Sequence, residues 1–329
     1  MKYTMLALLL GAFSSCALAA ADVEAQCKVL TAKSYPAAHR APAAEQGKLA
    51  GCVATKLYYG IGTPVDHVRA RQCALAATEE QLPFQEDKGV LMMVYANGQG
   101  VPRDYALARK AACEAGGAVA ETALRLEHLA AMEAGRDRKP IDICDDATSG
   151  YMGGWCASVA NDLKEQKRGA GFARLIAPWS APQKQAFARL ETRAHDFFEQ
   201  RSTEEVDLSG TARAAFTIEE EARQREDLRA SVAAFEKGAL PRDGDAEFAR
   251  LDARLNAVYK QLKALPEPQY GTIRFEGVQR TQRSWLAYRD AWVAFGKVKY
   301  PQVSANAWRA YFTRKRIAML EKLLKNWGS

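Results

Sequence analysis

Side chains able to act as nucleophiles, bases or metal ligands are thinly spread along this 329-residue chain. Its four histidines, His39, His67, His128 and His195, fall in separate segments. No H-E-x-x-H, G-x-S-x-G or P-loop pattern occurs, and no serine stands three residues before a lysine, so the spacings that activate a nucleophile, hold zinc or cradle a phosphate are missing. The chain is expected not to be an enzyme and to need no cofactor; catalysis by residues brought together from distant segments is the alternative. The cysteines say more. Beyond Cys16 there are six, Cys27, Cys52, Cys73, Cys113, Cys144 and Cys156, all in the first half. With no C-x-x-C pair and no Cys/His cluster, a metal site is not expected. An even number in an exported chain predicts three disulfides, in a connectivity that the count alone leaves open.

Export is predicted by the N-terminus. Lys2 precedes an apolar run from Met5 to Phe13, and Ala17-Leu18-Ala19 forms an A-x-A cleavage site, so residues 1–19 are predicted to be a signal peptide and the mature chain periplasmic or secreted. Cys16 supplies the alternative of a lipoprotein, the one expected route to a membrane, although Phe13-Ser14-Ser15 lacks the usual aliphatic residue three positions upstream. No later stretch reaches the roughly 20 apolar residues of a membrane span. A composition of 48% hydrophobic and 26% charged residues is that of a globular protein, and the length suits two or three domains.

Residues 22–135 contain a repeat. Gly60-x-Gly62-x-Pro64-x-Asp66 with Ala70 recurs as Gly98-x-Gly100-x-Pro102-x-Asp104 with Ala108, each pair offset by 38 residues. An apolar run precedes each glycine pair and an alanine-rich run follows it. Small alanines let two helices approach, glycines permit the turn, and Asp with Pro suits the start of a second helix, so each unit is predicted to be a helix hairpin. The second copy, Y-x-x-G-x-G-V-x-x-D-x-x-x-A from Tyr95 to Ala108, resembles the Sel-one-like repeat, a relative of the tetratricopeptide repeat; the first copy departs from it at Thr63 and Pro64. Exported members of that family often carry one cysteine on each helix of a hairpin, which implies Cys52–Cys73 across the Gly60–Gly62 turn. Val90 stands where the matching cysteine of the second unit would fall. Cys144 and Cys156 enclose a short glycine-rich loop and are expected to pair, which leaves Cys27 with Cys113. Two repeats make a short solenoid, so residues 22–50 and 116–135 are expected to cap it. The concave face of such arrays often binds peptides; packing alone is the competing role.

From about residue 157 the periodicity is helical throughout. Phe187, Leu190, Ala194 and Phe197 share the spacing of Trp285, Tyr288, Trp292 and Phe295, and Ala212 to Thr217 parallels Trp308 to Thr313. Residues 136–240 are therefore expected to include a degenerate copy of the C-terminal module. Gly238, Pro241 and Gly244 mark a boundary before residues 241–329.

Within that last segment, Asp252, Leu255, Asn256, Tyr259 and Leu262 form D-x-x-L-N-x-x-Y-x-x-L, and Gln282 to Asp290 forms Q-R-x-W-L-x-Y-R-D. The two motifs resemble the helical module named for the lysozyme inhibitor LprI. The resemblance implies inhibition of lysozyme, and it marks Asn256, Tyr259, Gln282, Arg283, Trp285, Tyr288, Arg289 and Asp290 as candidate interaction residues. Spacing of 3, 4 and 3 places the rings of Trp285, Tyr288, Trp292 and Phe295 on one helical face, the expected core. Val293 stands where the family usually carries a cysteine, three residues after the R-D pair.

Charge argues against lysozyme as the partner. From Ala246 to Ser329 there are 16 Lys and Arg against 6 Asp and Glu, whereas the chain as a whole is +7. Common lysozymes are basic, and like-charged surfaces slow encounter and oppose docking. Glu219-Glu220-Glu221 is one place for an opposing acidic face. A basic module, densest at Arg314-Lys315-Arg316, instead favours an anionic envelope component, and export makes nucleic acid an unexpected partner. The sequence thus predicts an all-α protein, a short α-solenoid of helix hairpins followed by one or two small helical-bundle modules. It is expected to bind a protein or an anionic component of the bacterial envelope, with lysozyme inhibition as one alternative and hydrolysis of a cell-wall or β-lactam substrate as another.

Overall fold

The computed structural model describes residues 22–77 and 84–327; the expected signal peptide and Cys16 lie outside them. Among the described residues the fold is all-α, with one isolated β-bridge between Phe84 and Gly116. Contacts divide the chain into two compact units between Gln166 and Lys167, within a long helix, Gly150–Ile176.

The first unit comprises α1 (22–31), the short α2 (Ala43–Gln46), α3 (Ala54–Tyr59), α4 (His67–Ala76), α5 (Glu86–Asn97), α6 (Tyr105–Ala115), α7 (Val119–Glu133) and the first part of α8 (Gly150–Ile176). Neighbours in sequence pack on one another, α3 on α4, α4 on α5, α5 on α6 and α6 on α7. The two hairpins are built alike. Gly60 (φ 75°) and Gly98 (φ 68°) end α3 and α5 in the left-handed region, where a side chain would be strained. The following amides close the same motif, Ile61 N–H onto Lys56 O at 2.9 Å and Gln99 N–H onto Val94 O at 3.1 Å. Asp66 and Asp104 then accept from the backbone amides of Arg69 and Leu107, both at 2.9 Å, and so cap α4 and α6. Gly100 has a second duty, since a Cβ there would lie 2.8 Å from the Val68 amide nitrogen.

α5 is the axis of this unit: every residue from Val90 to Ala96 is fully buried. Ala108, Ala111, Ala112 and Ala115 of α6 are fully buried as well, and their small side chains let α6 lie close against it. Three disulfides brace the unit: Cys27–Cys113 joins α1 to α6, Cys52–Cys73 crosses the α3–α4 hairpin, and Cys144–Cys156 ties the loop before α8 to that helix. The loop runs over α3 and α5. Asn97 Oδ1 accepts from Ile141 N–H at 2.9 Å while its Nδ2 donates to Ile141 O at 2.8 Å, and the Tyr59 hydroxyl donates to Asp142 at 2.9 Å. Buried Glu121 holds the end of the loop by accepting from the amides of Thr148 (2.8 Å) and Ser149 (2.6 Å). Burial alone would raise its pKa, but those donors, with Ala118 N–H, outweigh burial and hold the carboxyl below its ordinary value.

The second unit contains the remainder of α8 and α9 (Ala181–Glu204), α10 (Arg213–Glu236), α11 (Asp245–Ala264), α12 (Phe275–Lys299) and α13 (Ala305–Lys325). α9 packs on α10 and α12, and α13 packs on α11 and α12. The matched stripes of α9 and α12 face each other and are buried at every position, with Phe187 against Phe295 at 5.4 Å and Phe197 stacked on Tyr288 at 5.3 Å. Each such ring pair adds about 0.5–1.5 kcal/mol to the area it buries. The parallel ends in the next helices, because Phe312 of α13 is 2% exposed whereas Phe216 of α10 is 43% exposed. Trp308 lies so close under α12 that a Cβ on Gly296 would be 2.3 Å from its Nε1.

Candidate functional site

The buried stripe of α9 continues one turn beyond Phe197 and ends on a charge. Arg201, four residues on, lies on the same face and is only 7% exposed. Its guanidinium donates to Glu220 of α10 and lies 3.5 Å from Glu205, just past the end of α9. Arg316 of α13, fully buried, reaches Glu205 through two nitrogens at 2.8 and 2.5 Å and Gln282 of α12 through Nε at 2.9 Å. Arg223 donates to the other oxygen of Glu220. The result is one chain of ions, Arg223–Glu220–Arg201–Glu205–Arg316, ending on Gln282 and drawing on α9, α10, α12 and α13. Burial pulls the Arg201 guanidinium below its ordinary pKa, and Glu220 and Glu205 oppose that. Such a cluster is stable only when every member is paired.

Two cavities adjoin it. One, about 370 Å³, has walls that include Phe197, Phe198, Trp285, Tyr288, Phe312 and Met319, with Gln224 and several cations around them. The other, about 340 Å³, shares Arg201, Arg223, Met319 and Lys322 with the first and opens among Glu205, Tyr270 and Trp327. Among the described residues no group of three His, Cys, Asp or Glu is placed to hold a metal ion. His128 lies between Asp146 (3.2 Å) and Asp137 (3.4 Å), and His39 contacts the Tyr95 hydroxyl at 3.1 Å.

The structure gathers some of the sequence candidates and scatters others. Trp285, Tyr288, Lys315 and Arg316 line the first cavity, with Gln282 bonded behind it to Arg316. Arg289 lies over the Trp285 ring at 5.2 Å and 3.2 Å from Asp290, which places both at the rim of α12. Elsewhere, Tyr259 packs on Phe275 at 5.3 Å, exposed Asn256 donates to Asp252 one turn back in α11, and Arg283 is exposed.

The expected basic face at Arg314-Lys315-Arg316 is corrected. Successive residues of a helix point about 100° apart, so the three diverge. Arg314 pairs with Asp243 and Glu247, Lys315 with Asp227 at 2.8 Å, and Arg316 is buried against Glu205 and Gln282. The acidic run Glu219-Glu220-Glu221 divides in the same way: Glu219 is exposed, Glu220 is buried in the cluster, and Glu221 bonds Arg225 and Ser202.

Sequence inspection missed Arg201, Glu205, Arg223 and Gln224. One signal was present: Arg201 stands four residues after Phe197 and Arg316 four after Phe312, each extending a buried aromatic face by one turn. A charge at that register belongs to the interior unless the helix ends first.

No curated protein matches this chain. No solved structure matches it either. The family model described as Lysozyme inhibitor LprI matches residues 241–320, which run from just before α11 into α13; of the cavity walls, α12 and the part of α13 up to Leu320 fall inside the match, and α9, α10 and Lys322 fall outside it.

Proposed function

We propose that this chain is an exported, lysozyme-inhibitor-like binding protein of the cell envelope with no catalytic role of its own. The family match over α11 to α13 carries this reading. Three disulfides agree with it, since such bonds persist in oxidising compartments outside the cytoplasm. In this reading the first unit is a Sel-one-like array that stiffens and presents the protein, and the second contacts a protein partner through exposed side chains of α11 and α12, Asn256 on the one and Arg283 and Asp290 on the other. Lysozyme is the first partner to test. From Lys167 to Ser329 there are 29 Lys and Arg against 20 Asp and Glu, so contact with a basic lysozyme works against net charge.

That opposition gives the test a sign. Lysozyme activity is titrated with the disulfide-intact chain at low and moderate salt. Inhibition that strengthens as salt rises supports lysozyme as the partner, because salt screens like-charge repulsion. Absence of inhibition at micromolar protein removes lysozyme. Retention on anionic vesicles that vanishes with salt would shift the partner to an envelope polyanion.

A further inference from the structure

Gln224 is the anomaly of the second unit. It stands on α10 in the wall of the 370 Å³ cavity, 4% exposed, and neither its Oε1 nor its Nε2 has a hydrogen-bond partner. A buried carboxamide lacking both partners destabilises a fold unless something supplies them. The walls around it are aromatic and apolar, from Phe197, Phe198, Trp285, Tyr288, Phe312 and Met319. Five cations line the same cavity against a single carboxylate, Asp227, which pairs with Lys315; Arg201 and Arg316 are paired within the ion chain, and Arg223, 57% exposed, bonds Glu220 through one nitrogen and keeps further N–H donors.

An occupant suited to these walls has three parts: an apolar body, a group that both donates and accepts a hydrogen bond, and a negative charge. One amino-acid residue offers the second part, because its N–H and C=O together satisfy both atoms of a carboxamide. The chain displays that pairing elsewhere, where Asn97 takes the N–H and the C=O of Ile141 at 2.9 and 2.8 Å. A cavity of this size falls within the range of about 300–1,000 Å³ typical of small-ligand sites. We infer that the cavity binds an acylated apolar dipeptide with a free carboxylate, the N–H and C=O of its first residue on Gln224, its side chains among the rings, and its carboxylate toward Arg223 and Lys322. The same chemistry exists in free acylated dipeptides and at the apolar C-terminus of a polypeptide. The site stands whether or not the module inhibits lysozyme.

Trp285 lies in the wall, so the tryptophan fluorescence of the full, disulfide-intact chain reports occupancy, and Trp285→Phe assigns the signal. The probes are N-acetyl-Leu-Phe as the free acid, the same compound as its C-terminal amide, and decanoate. The free acid is expected to saturate the signal, and both the amide and decanoate to bind more weakly. Gln224→Leu is expected to weaken the acid by roughly tenfold without lowering the melting temperature, because an apolar side chain of similar shape replaces an unpaired polar one. A longer peptide with the same C-terminal residue that binds more tightly assigns the polypeptide source; equal binding assigns the free compound, and both uphold the site. The inference is overturned if no probe gives a saturable change at millimolar concentration, if decanoate binds as well as the acid, or if Gln224→Leu binds the acid as tightly as the native chain.

Discussion

The two units lock their helices by different means. The first uses covalent bonds and local turns: three disulfides, left-handed glycines, aspartate caps and a small-residue core of alanines around α5. Its long-range polar contacts include two from phenol to carboxylate, Tyr35 to Glu114 at 2.6 Å and Tyr59 to Asp142 at 2.9 Å, and burial with those carboxylates pushes both phenols up, so they remain donors. The second unit has no cysteine and relies on stacked rings and a buried chain of guanidinium–carboxylate pairs. A crosslink acts largely by restricting the unfolded chain, whereas a buried ion chain acts only in the folded state and fails as soon as one member is removed. The first unit is thus vulnerable to reduction, the second to the loss of a single charge.

That contrast can be broken, beginning with the largest effect. Replacing Cys27 and Cys113 by Ala releases a constraint across 86 residues, and loop entropy puts the loss at about 4–5 kcal/mol. For Cys52 and Cys73, separated by 21, the same argument gives about 3 kcal/mol. Hydrogen exchange in α3 to α6 should show this order, and the reverse order would mean that native contacts, not chain entropy, dominate. Arg316→Ala leaves buried Glu205 with only the 3.5 Å contact to Arg201 and should cost about 3–5 kcal/mol in urea unfolding, most of which returns in Arg316→Met with Glu205→Leu. If the double replacement is no better than the single one, the ion chain is not what locks this unit.

Smaller changes sharpen the comparison. Gly296→Ala forces Trp308 away from α12 and should cost about 1–3 kcal/mol, with loss of near-ultraviolet dichroism from the displaced indole. Asp66→Ala and Asp104→Ala each remove one cap and should cost about 1 kcal/mol by the same denaturation assay, in nearly equal amounts if the hairpins are energetically alike. Least in effect is Glu247, a half-buried carboxyl lowered to about 2 by hydrogen bonds from Arg250 and Arg314. A depressed folded pKa means that the contribution of this residue is complete above the ordinary glutamate range and fades as pH falls through about 2. Carbon-13 NMR of the carboxyl should place its midpoint near that value, and Arg314→Gln should raise it.

How much could be read in advance follows from where the determinants lie. The all-α class and the two hairpins were legible because a turn glycine, the next amides and an aspartate cap lie within a few residues of one another. The core stripes of α9 and α12 were legible from spacing alone. The ion chain was not, since Arg316 meets a carboxylate 111 residues away and each of its members, viewed alone, resembles a solvated helix charge. The exposure of Phe216 was hidden for a related reason: repeating a residue pattern preserves the face of a helix but does not supply the neighbour that covers it. The basic triplet misled because linear density was taken for surface density.

The strap formed by Ile141, Asp142 and Ile143 has a consequence for any peptide seeking the inner side of α3 and α5. Asn97, Tyr59 and Met93 already hold this resident segment, and Cys144–Cys156 keeps it from drifting away. A visiting peptide would compete with an intramolecular rival whose effective concentration, by the arithmetic of short tethers, is on the order of millimolar. Only a ligand far tighter than that rival, or one arriving after the Cys144–Cys156 bond is cut, would gain that side of the array.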